Sequence, residues 1–344
     1  MNCAIFTYGS FLQEYGGQCK LLKQGFKKNN IKVLELEGKQ KKLFTALIFY
    51  LLGLRSGLMF TGFAYKLNIP KILISSNFII SFAQVIPWNL FFFLIINKIK
   101  IIYWNDMPIE KIVDIYVKGL FWKKIIIFIS KVQFFFLAPI IVGTNRHQFK
   151  TFRNISIVPR IVDECFYTKN NKKDKSKVWT LVLIGNDFLR KKFEDIISII
   201  NKFSKKNNLD FKIYIIGECS ALLKKKFEKK VLFLNKLSKK KISQFFRKLQ
   251  NFFTISISKN EGAPISLLEV QSGGGFSICT KHNGGKSYVP RLCVFNNNSH
   301  LLKILKKLIT NKKFRYKIKK FIIGKSKKYN SVYIAKKFIT LANN

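Results

Sequence analysis

Apolar runs of strand length recur along this 344-residue chain, and many close on glycine before a stretch with helical spacing. Ala4 to Tyr8 reads as a buried strand, Gly9 to Gly17 as a loop ending in a glycine pair, and Cys19 to about Lys28 as a helix stopped by Asn29-Asn30. Ile31 to Leu36 is the next strand. Strand, glycine-bearing loop, helix and strand in that order form the βαβ unit of a parallel sheet. Further strands are expected at Lys71 to Ser75, Lys100 to Trp104, Pro139 to Gly143 and Ile155 to Pro159. Helices are expected at Lys42 to Tyr65, Trp88 to Lys98 and Ile109 to Phe135.

Tyr167 to Lys177, YTKNNKKDKSK, has no apolar residue after its first position and reads as a linker. The alternation then restarts. Trp179 to Ile184, Phe211 to Ile216, Val231 to Leu234 and Phe252 to Ile257 read as strands. Phe193 to Phe203 reads as an amphipathic helix, with Phe193, Ile196, Ile197, Ile199, Ile200 and Phe203 on one face. Ile242 to Leu249 and the lysine-rich stretch Leu301 to Asn344 are helical. The expected architecture is α/β, with two Rossmann-like parallel-sheet domains. Residues 1–166 form the first, 167–177 the linker, 178–325 the second, and 326–344 a C-terminal helix packing back on the first.

Charge enters the argument because 63 Lys and Arg stand against 17 Asp and Glu, a net +46. Such a field favours anionic partners, whether nucleic acid, acidic lipid headgroups or phosphorylated small molecules. The joint abundance of Lys, Asn, Ile and Phe also follows from a coding bias toward A/T-rich codons. Only eight of the 63 are Arg; base readers lean on Arg for bidentate contacts, so nucleic acid is an unlikely main partner. Six scattered cysteines, with no C-x-x-C pair, read as reduced thiols of a cytosolic protein. The N-terminus lacks the basic region of a signal peptide. Ile72 to Asn97 carries no charge and has the length of a membrane span. Its Ser75, Ser76, Asn77, Ser81, Gln84, Pro87 and Asn89 break it into a short strand, a loop and a helix. Buried α/β elements with a membrane-facing surface are expected in place of spans.

Open α/β sheets bind ligands outside the carboxyl ends of their strands. Four glycine-marked ends qualify: Gly9 to Gly17, Gly185 to Lys192, Gly217-Glu218 and Ser258 to Pro264. In the last, Pro264 suits a helix start, and the amides of Ile265 to Leu267 are the donors that a helix leaves unpaired. With the helix dipole they make an anion site that fits a diphosphate. Gly262 and the small Ala263 admit a ligand close to the backbone. Glu261, just before the turn, is placed to accept hydrogen bonds from sugar hydroxyls, and Glu269 suits a ribose diol. At Gly185 to Lys192, Arg190, Lys191 and Lys192 enter a helix start, where cations oppose the dipole. A bound diphosphate accounts for them, and so does chance in a chain this rich in Lys. No Asp-x-Asp pair cradles a metal, His147, His282 and His300 are unclustered, and phosphate fingerprints of the Walker A and GxGxxG types are absent. What remains is a cation-assisted diphosphate departure without metal.

These residues resemble the retaining GT-B glycosyltransferases of family 4. SKNEGAPISLLEVQSGGG, followed by NGG, is similar to the family's S-x-x-E-G-x-P-x-x-L-L-E segment and puts its E-x7-E pair on Glu261 and Glu269. IGNDFLRKKFEDII resembles the strand–loop–helix segment that carries the family's phosphate-binding Lys, here Lys191, with Arg190 beside it. YGGQCKLLKQGFKKNNIKVLEL is similar to its glycine-pair helix, which implicates Gly16 and Gly17. ISIVPRIVDECF resembles its exit from the first domain. Departures stand at Asn186, at Trp104-Asn105-Asp106, at Val270, at Phe276 and at Tyr288, where the family has Glu.

The resemblance implies two domains facing across a cleft, and a hexosyltransferase moving sugar from a nucleotide-sugar to a glycan or lipid-linked acceptor with retention. Glu261 would be catalytic. Gly16, Gly17, Arg190, Lys191, Gly262, Ala263, Pro264, Ile265 and Glu269 would bind the donor, with no metal and no cofactor. Cell-surface polysaccharide or lipopolysaccharide synthesis is the expected setting, in the cytoplasm and peripheral on the inner membrane face. The alternatives are a non-catalytic homologue, or a basic membrane- or nucleic-acid-binding protein.

Overall fold

The computed structural model describes residues 2–8, 12–40, 65–66, 76–82, 86–105, 110, 113–114, 119–144, 155–167, 178–185, 191–258, 261 and 264–344. The chain forms two compact units, Met1–Ile161 with Ser331–Asn344, and Val162–Asn330.

In the first unit the elements run β1 (Asn2–Tyr8), α1 (Leu12–Lys28), β2 (Lys32–Gln40), β3 (Tyr65–Lys66), β4 (Phe78–Ser81), α2 (Trp88–Ile96), β5 (Lys100–Asn105), α3 (Leu120–Leu137), β6 (Ile140–Gly143) and β7 (Ser156–Ile157), and the helix Ser331–Asn343 returns to it. Among the described residues its sheet has the order β3-β2-β1-β4-β5-β6-β7. Every pairing is parallel except β2 with β3. The central strands are apolar on both faces, as a parallel sheet covered on both sides requires. Cys3, Ile5, Phe78, Ile80, Ile102 and Trp104 face one core, and Ala4, Phe6, Ile79, Ile101 and Tyr103 face the other. Each large side chain so buried contributes roughly 1.5–3 kcal/mol.

The C-terminal helix completes the first core. Ile334, Ala335 and Phe338 join Leu22, Phe26 and Trp104, with the Trp104 and Phe338 ring centroids 5.1 Å apart. Polar contacts fix its ends: Asn29 Nδ2 donates to Gly25 O at 2.7 Å and Val332 O at 3.3 Å, and Lys100 Nζ donates to Ala342 O at 2.9 Å. Gly25 permits this approach, because a Cβ there would sit 2.1 Å from Ser331 O.

In the second unit the elements are β8 (Trp179–Ile184), α4 (Phe193–Asn207), β9 (Phe211–Ile216), α5 (Ala221–Phe227), β10 (Val231–Leu234), α6 (Lys239–Lys248), β11 (Asn251–Ser256), α7 (Ile265–Ser272), β12 (Phe276–Thr280), β13 (Val294–Phe295), α8 (Asn298–Thr310) and α9 (Lys312–Ser326). The sheet order is β10-β9-β8-β11-β12-β13, all parallel. From β8 the chain winds outward to β10, then returns to place β11 on the other side of β8. That reversal is a topological switch point, where the strand ends of such sheets open a ligand crevice.

Several elements differ from the sequence-based expectation. Helix α1 starts at Leu12, so Gly16 and Gly17 lie within it and not in a loop. The buried stripe Cys19, Leu22 and Phe26 outweighs the roughly 1 kcal/mol that each helical glycine costs. Strand β4 lies in the stretch read as a loop: Phe78, Ile79 and Ile80 are wholly buried, while the polar Asn77 side chain accepts from Asn2 N–H at 2.9 Å. The expected strand Lys71 to Ser75 is outside the described residues, as is the expected helix Lys42 to Tyr65 except for Tyr65, which pairs in β3. Gly119, at φ 87°, interrupts the expected helix Ile109 to Phe135 just before α3. The passage between units falls at Ile161–Val162, ahead of the expected limit at residue 166, because Val162 and Phe166 pack with Val182 and Phe246. All but one residue of the expected linker are outside the described residues. Strand β12 and helix α5 were not expected, and the lysine-rich C-terminal stretch is several helices. All six cysteines are free. Burial pushes Cys19 and Cys293 up to about 12, so these thiols keep their protons.

Gly25→Ala is expected to cost roughly 1–3 kcal/mol, the range for a forced overpacking. Gly17→Ala in the same helix, where a Cβ meets nothing within 4 Å, is expected to gain up to about 1 kcal/mol. Denaturant midpoints of the two variants check the contrast.

Candidate functional site

The site grows from the adjacent ends of β8 and β11. After Ile184 the backbone turns at Gly185, whose φ of +142° belongs to glycine; its N–H donates to Ile216 O at 3.0 Å. This turn lets Lys191 fold back over the strand end, with Nζ donating to Ile184 O at 2.8 Å. The ammonium thus sits on a strand-end carbonyl, while Glu194 and Asp195 occupy the first turn of α4. Acids in that turn suit the helix dipole.

Opposite Lys191 stands Glu261, its Oε1 3.6 Å from Nζ, with both side chains largely buried. Ser256 Oγ, at the end of β11, donates to Glu261 Oε2 at 3.3 Å. Behind it, the fully buried Asn283 donates from Nδ2 to Ser256 Oγ at 2.8 Å and Ser258 O at 2.9 Å. Its Oδ1 accepts from Gly285 N–H at 2.7 Å, and Gly284 N–H donates to Glu261 O at 3.0 Å. The Asn283–Gly285 turn therefore ties both ends of the loop that presents Glu261. Gly285 allows it to close on the helix start: a Cβ there would meet Leu267 Cδ1 at 2.4 Å and Pro264 Cγ at 2.9 Å.

Pro264 directly precedes α7. The Leu267 amide, expected among the unpaired donors, is taken by Pro264 O at 3.1 Å in a tightened first turn. Ile265 and Ser266 hold the amides that the helix itself cannot satisfy, at the positive end of its dipole. Glu269 is 3% exposed and forms an ion pair with Lys239 at the start of α6. Lys239 Nζ also lies 5.9 Å from the Phe166 ring centroid, a cation–π approach of the ammonium group.

Of the expected site residues, the structure brings Lys191 and Glu261 together and sets Pro264 and Ile265 at the helix start. Glu269 lies in the same helix but is paired with Lys239. Gly16 and Gly17 belong to α1 of the first unit. Arg190, Gly262, Ala263 and Asn186 are outside the described residues. Tyr288 is buried, edge-on to Tyr329 with centroids 6.1 Å apart. Asn283, Ser256 and Lys239 were missed. An Asn before a glycine pair is a turn signal that pointed to Asn283; Lys239, in a run of lysines, carried none.

This architecture is the GT-B fold, and its second unit is where the match to a known family falls. Residues 167–328 match the family model described as Glycosyl transferases group 1. Among solved structures, the lipopolysaccharide outer core galactosyltransferase WaaB in its apo form is similar, with TM-score 0.62 and 14% identity, covering 98% of each chain. WaaG, a glycosyltransferase involved in lipopolysaccharide biosynthesis, gives TM-score 0.61 at 12% identity over 99% of each chain. HepE of Anabaena in complex with UDP and glucose gives 0.64 at 10% identity over the full length of both. No curated protein matches the chain.

Lys239→Met leaves the Glu269 carboxylate buried without its cation. Because Lys239 is itself 44% exposed, the expected loss is about 1–3 kcal/mol, below that of a fully buried pair. Adding Glu269→Gln to Lys239→Met is expected to restore part of it, read by thermal unfolding.

Proposed function

We propose that the protein is a glycosyltransferase that moves a hexose from a nucleotide-sugar to a glycan or lipid-linked acceptor with retention of configuration. The observation that carries this reading is the Lys191–Glu261 pair, held at the switch point with Glu261 three residues ahead of Pro264, the residue that precedes α7. A cation, helix amides and a carboxylate there match the diphosphate and hydroxyls of such a donor. The diphosphate takes the α7 amides and Lys191, with Arg190 nearby in sequence. As it enters, it replaces Glu261 as the partner of Lys191, and the freed carboxylate accepts hydrogen bonds from the sugar. Glu269 serves the ribose. Close backbone approach falls to Gly262 and Ala263, and the assignment of Gly16 and Gly17 to the donor rests on the family resemblance alone.

In the reaction the bond from the anomeric carbon to the diphosphate oxygen breaks as the acceptor oxygen bonds to that carbon on the same face, and the acceptor's hydroxyl proton passes to the departing diphosphate oxygen. Lysine and helix amides stabilise the charge gathering on the leaving group, without a metal. The complex of HepE with UDP and glucose makes UDP-glucose the first candidate to test. The setting we propose is cell-surface polysaccharide or lipopolysaccharide synthesis, with the protein in the cytoplasm and peripheral on an anionic membrane. The net charge of +46 supports the membrane part; among the described residues no helix is long and apolar enough to cross a bilayer.

Incubation with UDP-, GDP- and ADP-sugars, with nucleotide release as readout, tests the enzyme reading. Release is expected with one donor, and Glu261→Ala is expected to lower it about a hundredfold or more. Binding without release identifies a non-catalytic homologue, and neither binding nor release overturns the transferase reading.

A further inference from the structure

Among the described residues, all the exposed large apolar side chains of the first unit lie on two neighbouring helices, α2 and α3. Phe121, Phe128 and Phe135 are 67%, 67% and 80% exposed. They recur every seventh residue, and a helix drifts only about 20° per heptad, so they form one continuous outward stripe. The inner face of α3 is partly polar: Gln133 is fully buried and exchanges two hydrogen bonds of 3.0 Å with the backbone of Ile86. The helix therefore buries Ser130 and Gln133 beside Ile126 and turns three phenyl rings to solvent, where a soluble surface helix carries polar residues.

Lysines edge the stripe. Lys124 and Lys131, both exposed, follow Phe121 and Phe128 at the three-residue spacing that makes helical neighbours. From Leu120 to Gly143 the chain carries three lysines and no acidic residue. Helix α2 widens the apolar area with Phe92 and Ile96, 55% and 77% exposed, and is joined to α3 by an edge-on contact of Phe91 with Phe136 at 6.3 Å. Apolar rings bordered by long basic side chains match a bilayer interface, where rings enter between headgroups and ammonium groups reach the phosphates.

We infer that the α2–α3 face docks on an anionic lipid bilayer, with Phe121, Phe128 and Phe135 inserted and Lys124 and Lys131 against lipid phosphates. This rests on the peripheral-attachment reading above and names the surface that performs it. The full chain is floated with vesicles of phosphatidylcholine alone or with about one third phosphatidylglycerol, and circular dichroism confirms that each variant is folded. Wild type is expected to float with the anionic vesicles. The triple variant Phe121→Ser, Phe128→Ser, Phe135→Ser is expected to lose roughly tenfold or more in partitioning at every salt concentration. The pair Lys124→Glu, Lys131→Glu is expected to lose the preference for anionic lipid. A folded triple variant that floats like wild type overturns this face and leaves peripheral attachment standing. Wild type that binds neither vesicle overturns both. A wild-type dimer that the triple variant dissociates, with flotation unchanged, assigns the face to a second copy and also overturns the inference.

Discussion

The second unit depends on β11 entering its sheet beside β8 and not beyond β10. That placement sets the ends of two strands remote in sequence next to each other. The turn at Gly185 brings back a cation; the loop after Ser256, braced by the buried Asn283, brings a carboxylate. Neither charge is left alone in its partly buried position, where an unpaired ion costs several kcal/mol. The pair stabilises the loop, and in the proposed reading it holds in advance the cation and the carboxylate that a nucleotide-sugar needs.

A second paired charge, Glu269 with Lys239, has a different character. Glu269 is wholly enclosed by α7 and its neighbours while Lys239 reaches it from the surface. Removing either partner acts on stability as well as on any ligand role. At Glu261 the Gly284 N–H goes to the backbone carbonyl, while the carboxylate takes Ser256 Oγ and Lys191, so Glu261→Gln, which keeps an acceptor for Ser256, is the cleaner probe of chemistry.

Much of this was legible in the sequence where elements are long, apolar and bounded by turn residues. Trp179–Ile184 falls as the sequence reading has it, since burial on both faces of this central strand leaves a run that is apolar except for Thr180. The reading failed where polar residues serve a buried strand, as Asn77 does for β4, and where glycines sit in a helix held by tertiary packing, as in α1. Within the site, the one-residue context of Lys191 and Glu261 was readable. Their meeting came from the family resemblance and not from their spacing, because it depends on sheet order. Lys239 was hidden by the abundance of lysine around it.

Calorimetric titration of nucleoside diphosphate, and then of the matching nucleotide-sugar, into wild type, Lys191→Met and Glu261→Gln tests the central claim most directly. Lys191→Met is expected to weaken both ligands about tenfold or more, the loss of a charge-assisted phosphate contact. Glu261→Gln is expected to leave the free diphosphate within about threefold and to weaken only the nucleotide-sugar by a comparable factor. Unchanged binding of both ligands by Lys191→Met would contradict the account.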